Sequence, residues 1–158
     1  MTSIVPFLWY AKDAEEAVAF YCSVIPNSHL DAVSALPVET PSGPPGSVKV
    51  VEFTLAGQKY EAMSAGGATP FNQAISLMVL CKDQAEIDRI WDGLLADGGK
   101  EQACGWLKDR YGVSWQIVPE GFEDMMKDPD RARARRVCEA MLTMIKFDVA
   151  ALKRAYEG

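Results

Sequence analysis

Two stretches of this chain repeat each other. Residues 10–21 read YAKDAEEAVAFY and residues 80–91 read LCKDQAEIDRIW, an offset of 70. Lys12 matches Lys82, Asp13 matches Asp83, Glu16 matches Glu86, and Phe20-Tyr21 match Ile90-Trp91. Each copy follows a short apolar run, residues 4–10 and 75–81, with the length of a buried strand. Each then opens a helix with Asp followed three residues later by Glu. That is a capping-box pattern: the Asp side chain accepts a free N–H of the first turn and the Glu reaches back. Ala14, Ala17, Val18, Tyr21 and Ile25 form one stripe on the first helix. Ile87, Ile90, Trp91, Leu94 and Leu95 form one on the second, which Gly98-Gly99 ends. One apolar stripe per helix predicts that each helix covers one side of a sheet.

The rest of each copy reads as strands. In the first half these are residues 29–36, 47–55 and 59–64, with Ala56-Gly57-Gln58 as the tight turn. In the second half they are residues 101–108 and 113–119, joined by the turn DRYG at 109–112, with a short additional strand near 99–103. The final strands match as well, YEAM at 60–63 with WQIV at 115–118, but at an offset of 55. An insertion of 15 residues in the first half reconciles 70 with 55. Roughly residues 37–47 supply most of it, a loop holding Pro37, Pro41, Pro44 and Pro45. The chain therefore reads as α+β: two βαβββ modules, residues 1–66 and 70–120, and a helical tail, 121–158, within a single domain spanning 1–158. In the tail Asp128 is the expected N-cap, with Pro129 at the first helical position. Val137, Met141, Met144 and Ile145 give an apolar stripe, and a last helix spans 149–155. Arg131, Arg133, Arg135 and Arg136 read as a solvated helix surface or as an anion-binding face.

Charge and composition narrow the function. Twenty-two acidic against 16 basic residues leave a net charge of -6. Binding to nucleic acid or to an anionic membrane needs clustered excess Lys and Arg, so neither partner is expected. His29 is the single histidine, which excludes any site built on two histidines of one chain. Cys22, Cys81, Cys104 and Cys138 contain no CxxC pair and read as reduced thiols; Cys104, beside Gly105 in a turn, is the one with reactive potential. The N-terminus lacks a secretory pattern, and no apolar run approaches the ~20 residues of a membrane span. The expected location is the cytoplasm.

Several strings are similar to one family: PFLWY at 6–10, AEEAVAFY at 14–21, PNS at 26–28, GQKY at 57–60, FNQAIS at 71–76, CGWLKDRYGVSWQIVP at 104–119, and the tail with its DPD start. With the module order they resemble the vicinal oxygen chelate superfamily, which includes glyoxalase I, extradiol dioxygenases and bleomycin-resistance proteins. Within it they look like the PhnB-like branch, often labelled 3-demethylubiquinone-9 3-methyltransferase-like, of which the tail also looks typical. The resemblance implies a U-shaped mixed sheet with a ligand cavity on its concave face, helices behind it, and a homodimer. It also implies that metal ligands, where such proteins use them, come from the first and last strands of each module. The matching positions here are Pro6, Glu61, Ser76 and Gln116.

Proline offers no side-chain donor, and a serine hydroxyl is a poor ligand for zinc, iron or nickel. No tight metal site and no cofactor are expected, with a weakly held divalent metal at Glu61 and Gln116 as the alternative. Strand alternation then lists the pocket. With Pro6 facing the cavity, Leu8 and Tyr10 face it too, while Phe7 and Trp9 point to the helices. Glu61 brings Met63, Ser76 brings Met78, and Gln116 brings Ser114 and Val118, with Asn72 and Trp106 at the rim. Glu61 is the candidate general base. The Gly-rich stretch 64–68 runs from strand toward strand, not into a helix, so it lacks the context of an S-adenosylmethionine loop. The expectation is a small-molecule-binding protein or a metal-independent enzyme of metabolism or detoxification. A metal-dependent glyoxalase or dioxygenase type and a bleomycin-resistance type of sequestration protein are the alternatives.

Overall fold

A computed structural model describes residues 1–67 and 69–158; Ala68, the last residue of the Gly-rich stretch, lies outside them. The chain divides into two units, Met1–Pro70 and Phe71–Gly158.

In the first unit β1 (Phe7–Tyr10) leads into α1 (Ala14–Val24), followed by β2 (His29–Ala35), β3 (Lys49–Leu55) and β4 (Gln58–Ser64). The sheet order is β1-β4-β3-β2, with β1 parallel to β4 and the other pairs antiparallel. All five residues of the predicted stripe on α1 and its C-cap are buried, as are Val51, Phe53 and Ala62 on the strands it packs against. The β3–β4 hairpin turns through Ala56 and Gly57, both at positive φ (48° and 83°). Two left-handed residues give the turn whose twist matches that of the strands.

The second unit repeats the module. It holds β5 (Leu77–Cys81), α2 (Gln84–Leu95), β6 (Lys100–Glu101), β7 (Trp106–Lys108) and β8 (Ser114–Pro119), in the order β5-β8-β7-β6. Ile87, Ile90, Trp91 and Leu94 bury the stripe of α2 on one face of this sheet, where Leu107, Trp115 and Ile117 are also buried. The predicted strand 101–108 is split. Cys104 and Gly105 both adopt positive φ (59° and 79°), which breaks extended backbone and leaves the short β6 separate.

The two modules differ by one residue in a place that matters. Tyr10 is buried, and its hydroxyl lies 2.9 Å from that of Tyr21 on α1. Cys81, fully buried at the end of β5, occupies the corresponding place. The strands are therefore related by 71 residues and the helices by 70. The strand pairing agrees. Phe7 pairs with Glu61, 54 residues on, and Leu77 pairs with Trp115, 38 residues on. The difference is 16, where offsets of 70 and 55 require 15. Three residues link β1 to α1, but two link β5 to α2. The expectation that Leu8 and Tyr10 face a cavity is corrected accordingly. They lie on the helix side, and Phe7 and Trp9 face away from α1, 48% and 42% exposed.

Capping follows the same loop difference. In the tight second loop Asp83 accepts the Glu86 N–H at 2.9 Å, and Glu86 reaches back to the Lys82 N–H at 2.8 Å. Asp13 makes no such cap; Ser64 Oγ accepts the Ala14 N–H instead, at 3.0 Å.

The tail contains α3 (Phe122–Met126), which the sequence reading missed, α4 (Arg131–Leu142) and α5 (Val149–Glu157). The cap of α4 is Asp130, not Asp128: its carboxylate accepts the N–H groups of Ala132 and Arg133. Asp128 accepts the Tyr156 hydroxyl. The tail has its own core of Phe122, Val137, Phe147 and Leu152, joined to the sheet at Val118. Its arginines tie it together. Arg136 donates to the carbonyls of Ala155 and Tyr156 at the end of α5, and Arg133 lies 4.7 Å over the Tyr156 ring. Arg131 donates to the carbonyls of Met126 and Asp128. Arg135 fits the solvated reading, pairing with Glu139 at 2.7 Å.

Candidate functional site

The second unit holds a mainly apolar site, on the sheet face away from α2. Alternation along β8 sends Trp115 and Ile117 to the helix, and Ser114, Gln116 and Val118 to the opposite face. Met78 and Trp106 are the cross-strand partners of Gln116 on β5 and β7 and share that face. Ser76, just before β5, is tied into it: Gln116 Nε2 donates to Ser76 Oγ at 2.9 Å.

The tail walls this face. A cavity of about 210 Å³ is lined by Met78, Trp106, Gln116 and Val118 from the sheet, and by Cys104, Phe122, Glu123, Met141 and Phe147. Gly105 makes the approach of Phe147 possible: a Cβ there would lie 2.7 Å from Phe147 Cε2 and 3.0 Å from the Ile117 carbonyl oxygen. The N–H groups of Cys104 and Gly105 donate to the carbonyls of Met144 and Ile145, which fixes the segment ahead of Phe147. Gln84 anchors it from α2, donating to the Phe147 carbonyl and accepting the Val149 N–H. Lys146 pairs with Asp88 at 2.7 Å. The lining is mainly apolar, with one amide, one thiol and one carboxylate, a composition suited to a small organic molecule.

Of the residues predicted from sequence, Met78, Trp106 and Gln116 line this cavity, and Ser76 and Ser114 lie on its sheet face. Asn72 is corrected: its Oδ1 accepts the Ala74 N–H at 2.8 Å, closing an exposed turn. Phe122, Glu123, Met141 and Phe147 were missed. Met141 was visible as part of an apolar stripe, but nothing in the pattern says what that stripe covers.

In the first unit, Glu61 and Met63 lie on the face away from α1. Glu61 sits between Phe7 on β1 and Glu52 on β3, its cross-strand partners. His29 pairs with Asp31 at 3.1 Å at the start of the edge strand β2, away from this face's Glu61.

Of the four positions expected from the resemblance, Pro6 and Ser76 are not counterparts at the strand offset of 71: Pro6 shares the parity of Leu8 and Tyr10, on the helix side, while Glu61 shares the face of its partner Phe7. Pro6 has only its carbonyl, which accepts the Glu61 N–H at 2.9 Å. Ser76 Oγ is engaged by Gln116.

Residues 2–118 match a family model described as 3-demethylubiquinone-9 3-methyltransferase. The chain belongs to this family. A PhnB protein of Bacillus cereus carrying the same methyltransferase label is 30% identical, with 75% of this chain and 99% of that one aligned at a TM-score of 0.65. The fosfomycin resistance protein FosX of Listeria monocytogenes aligns at a TM-score of 0.58 over 80% of this chain and 98% of its own, at 16% identity. A glyoxylase/bleomycin resistance protein/dioxygenase domain from Frankia aligns at 0.53 over 75% and 98%, at 10% identity. These two share the fold with the PhnB-like chain. No curated protein matches it. The family match ends at Val118, so the tail that walls the cavity lies outside the matched region.

Proposed function

We propose that this PhnB-like protein binds a small organic molecule on the second module's sheet, in the cavity between Met78, Trp106, Gln116 and the tail. The observation that carries the reading is that cavity: about 210 Å³, mainly apolar, with Gln116, bonded to Ser76, in its lining. It is smaller than the ~300–1,000 Å³ usual for drug-sized ligands, which points to a metabolite-sized occupant. Crystals soaked with small apolar molecules test it by density in the cavity.

The protein acts either as a binder or as a metal-independent enzyme of metabolism or detoxification. For an enzyme, Glu61 is the candidate base, on the first module's sheet beside Phe7. The reading includes one working domain of both modules and tail, a homodimer, and a cytoplasmic location. The last is compatible with the described residues, among which no helix is long and apolar enough to cross a membrane. Methyl transfer is not part of it. β4 ends at Ser64 and the next element after Gly66 and Gly67 is β5, so among the described residues no helix N-terminus follows the glycines to cradle S-adenosylmethionine.

A further inference from the structure

We propose that the site recognises an organic monoanion, whose charged group rests on a row of hydrogen-bond donors crossing the second sheet; this rests on the cavity reading above. The row follows from the register. Ser114 on β8 pairs with Lys108 on β7, and Lys108 pairs with Lys100 on β6. One step before the Leu77–Trp115 pair, Ser76 lies beside Ser114. Leu107, between the two β7 positions, is fully buried on the helix side, and Glu101 accepts the Trp91 Nε1–H of α2. Alternation therefore puts Ser76, Ser114, Lys108 and Lys100 on the opposite face, in one line across four strands.

Three features of this row call for an anion. Ser114 is 1% exposed, and its Oγ has no hydrogen-bond partner. A buried hydroxyl in a folded protein is nearly always bonded, so the proton of Ser114 is free for an acceptor that reaches this row. Lys108 and Lys100 face each other directly, an arrangement that is unfavourable unless neutralised. Neither has an ion-pair partner among the described residues. Ser76 Oγ accepts from Gln116, so its own proton is left to donate outward. Two hydroxyl protons and two ammonium groups form a donor set with no acidic member.

The next row along the strands is Met78, Gln116 and Trp106, which lines the cavity. Two residues of strand separate the rows, ~7 Å. A carboxylate on the donor row thus places a short apolar body in the cavity. Glu123, also in the lining, disfavours a second negative group. The ligand class is a small carboxylate with one apolar end.

Calorimetry with hexanoate, and with hexanamide as its neutral match, tests the assignment on the full chain. Hexanoate is expected to bind at least about ten-fold more tightly than hexanamide, as hydrogen bonds to a charged group require. The double variant Lys100→Met/Lys108→Met should bring hexanoate down to the level of the amide. Ser114→Ala should weaken hexanoate while raising the melting temperature of the free protein, since it deletes an unsatisfied hydroxyl. Equal binding of acid and amide, both lost in a cavity-filling Met78→Trp variant, overturns the anion assignment and leaves the cavity reading intact. Hexanoate binding that the lysine variant does not change overturns it too. No binding of either compound overturns both.

Discussion

Gly105 is the residue on which the site most depends. Its positive φ and missing Cβ let Phe147 pack against the strand junction, and Phe147 forms part of the cavity wall. Gly105→Ala combines left-handed strain with a clash against the Phe147 ring and the Ile117 carbonyl. The expected loss is about 1–3 kcal/mol of stability, measured by denaturant unfolding. A loss below a few tenths would show that Phe147 is not held there. At the same scale, Cys81 is no candidate nucleophile. Burial first, and then the nearby Glu86, push its thiol up to about 12, so it stays protonated at neutral pH. Glu61 is the residue to test for chemistry. Glu61→Ala is expected to abolish turnover of any substrate identified; unchanged turnover would remove it from the mechanism.

Among the elements, what was legible and what was not has a physical explanation. The stripes of α1 and α2 were readable because a helix buries one face, and the spacing of its apolar residues states which. The facing of β1 was not. In a strand a one-residue slip moves every side chain to the other side. The matched Lys-Asp-x-x-Glu strings fixed the helices, but the loop before α1 is one residue longer than the loop before α2. Phe7, Trp9 and Tyr10 were consequently assigned to the wrong faces, while Ser76, Met78, Ser114 and Gln116 were placed on the face that they occupy. The stripe of the tail showed that a surface would be covered, but not which one.

The tail's attachment depends on pH, with a definite sign. The Tyr156 hydroxyl first, then the Asp130 N–H, hold the Asp128 carboxyl below its ordinary value. Asp88 is lowered by Lys146 and then by Gln84, and Lys146 is raised by Asp88. A lowered carboxyl stabilises the fold above its unfolded value, and the gain is lost as pH falls through the lowered folded value. A raised lysine stabilises below its unfolded value, and the gain is lost as pH rises through the raised folded value. The tail is therefore expected to be held through neutral pH and to loosen below the ordinary carboxylate range, and again in strong alkali. Limited proteolysis across pH, in wild type and Asp128→Asn, reads this out. The variant should lose part of the tail's protection at neutral pH and show a weaker acid dependence. The same acid midpoint in both would contradict the role of Asp128.

At the level of the whole molecule, the chain is a duplicated βαβββ module of the PhnB-like family with an added tail. The duplication was legible because it is written twice. The cavity was only half legible, because its sheet side follows from strand alternation while its other wall comes from residues 122–147, beyond the matched region. The central claim is that this tail-walled cavity on the second sheet holds a small molecule. A crystal structure of the protein soaked with a set of small apolar carboxylates tests that claim most directly. The account predicts ligand density between Met78, Trp106, Gln116 and Phe147, with the carboxylate toward Ser114 and Lys108. Soaked molecules bound only elsewhere, with the Trp106 or Phe147 ring filling the cavity, would contradict it.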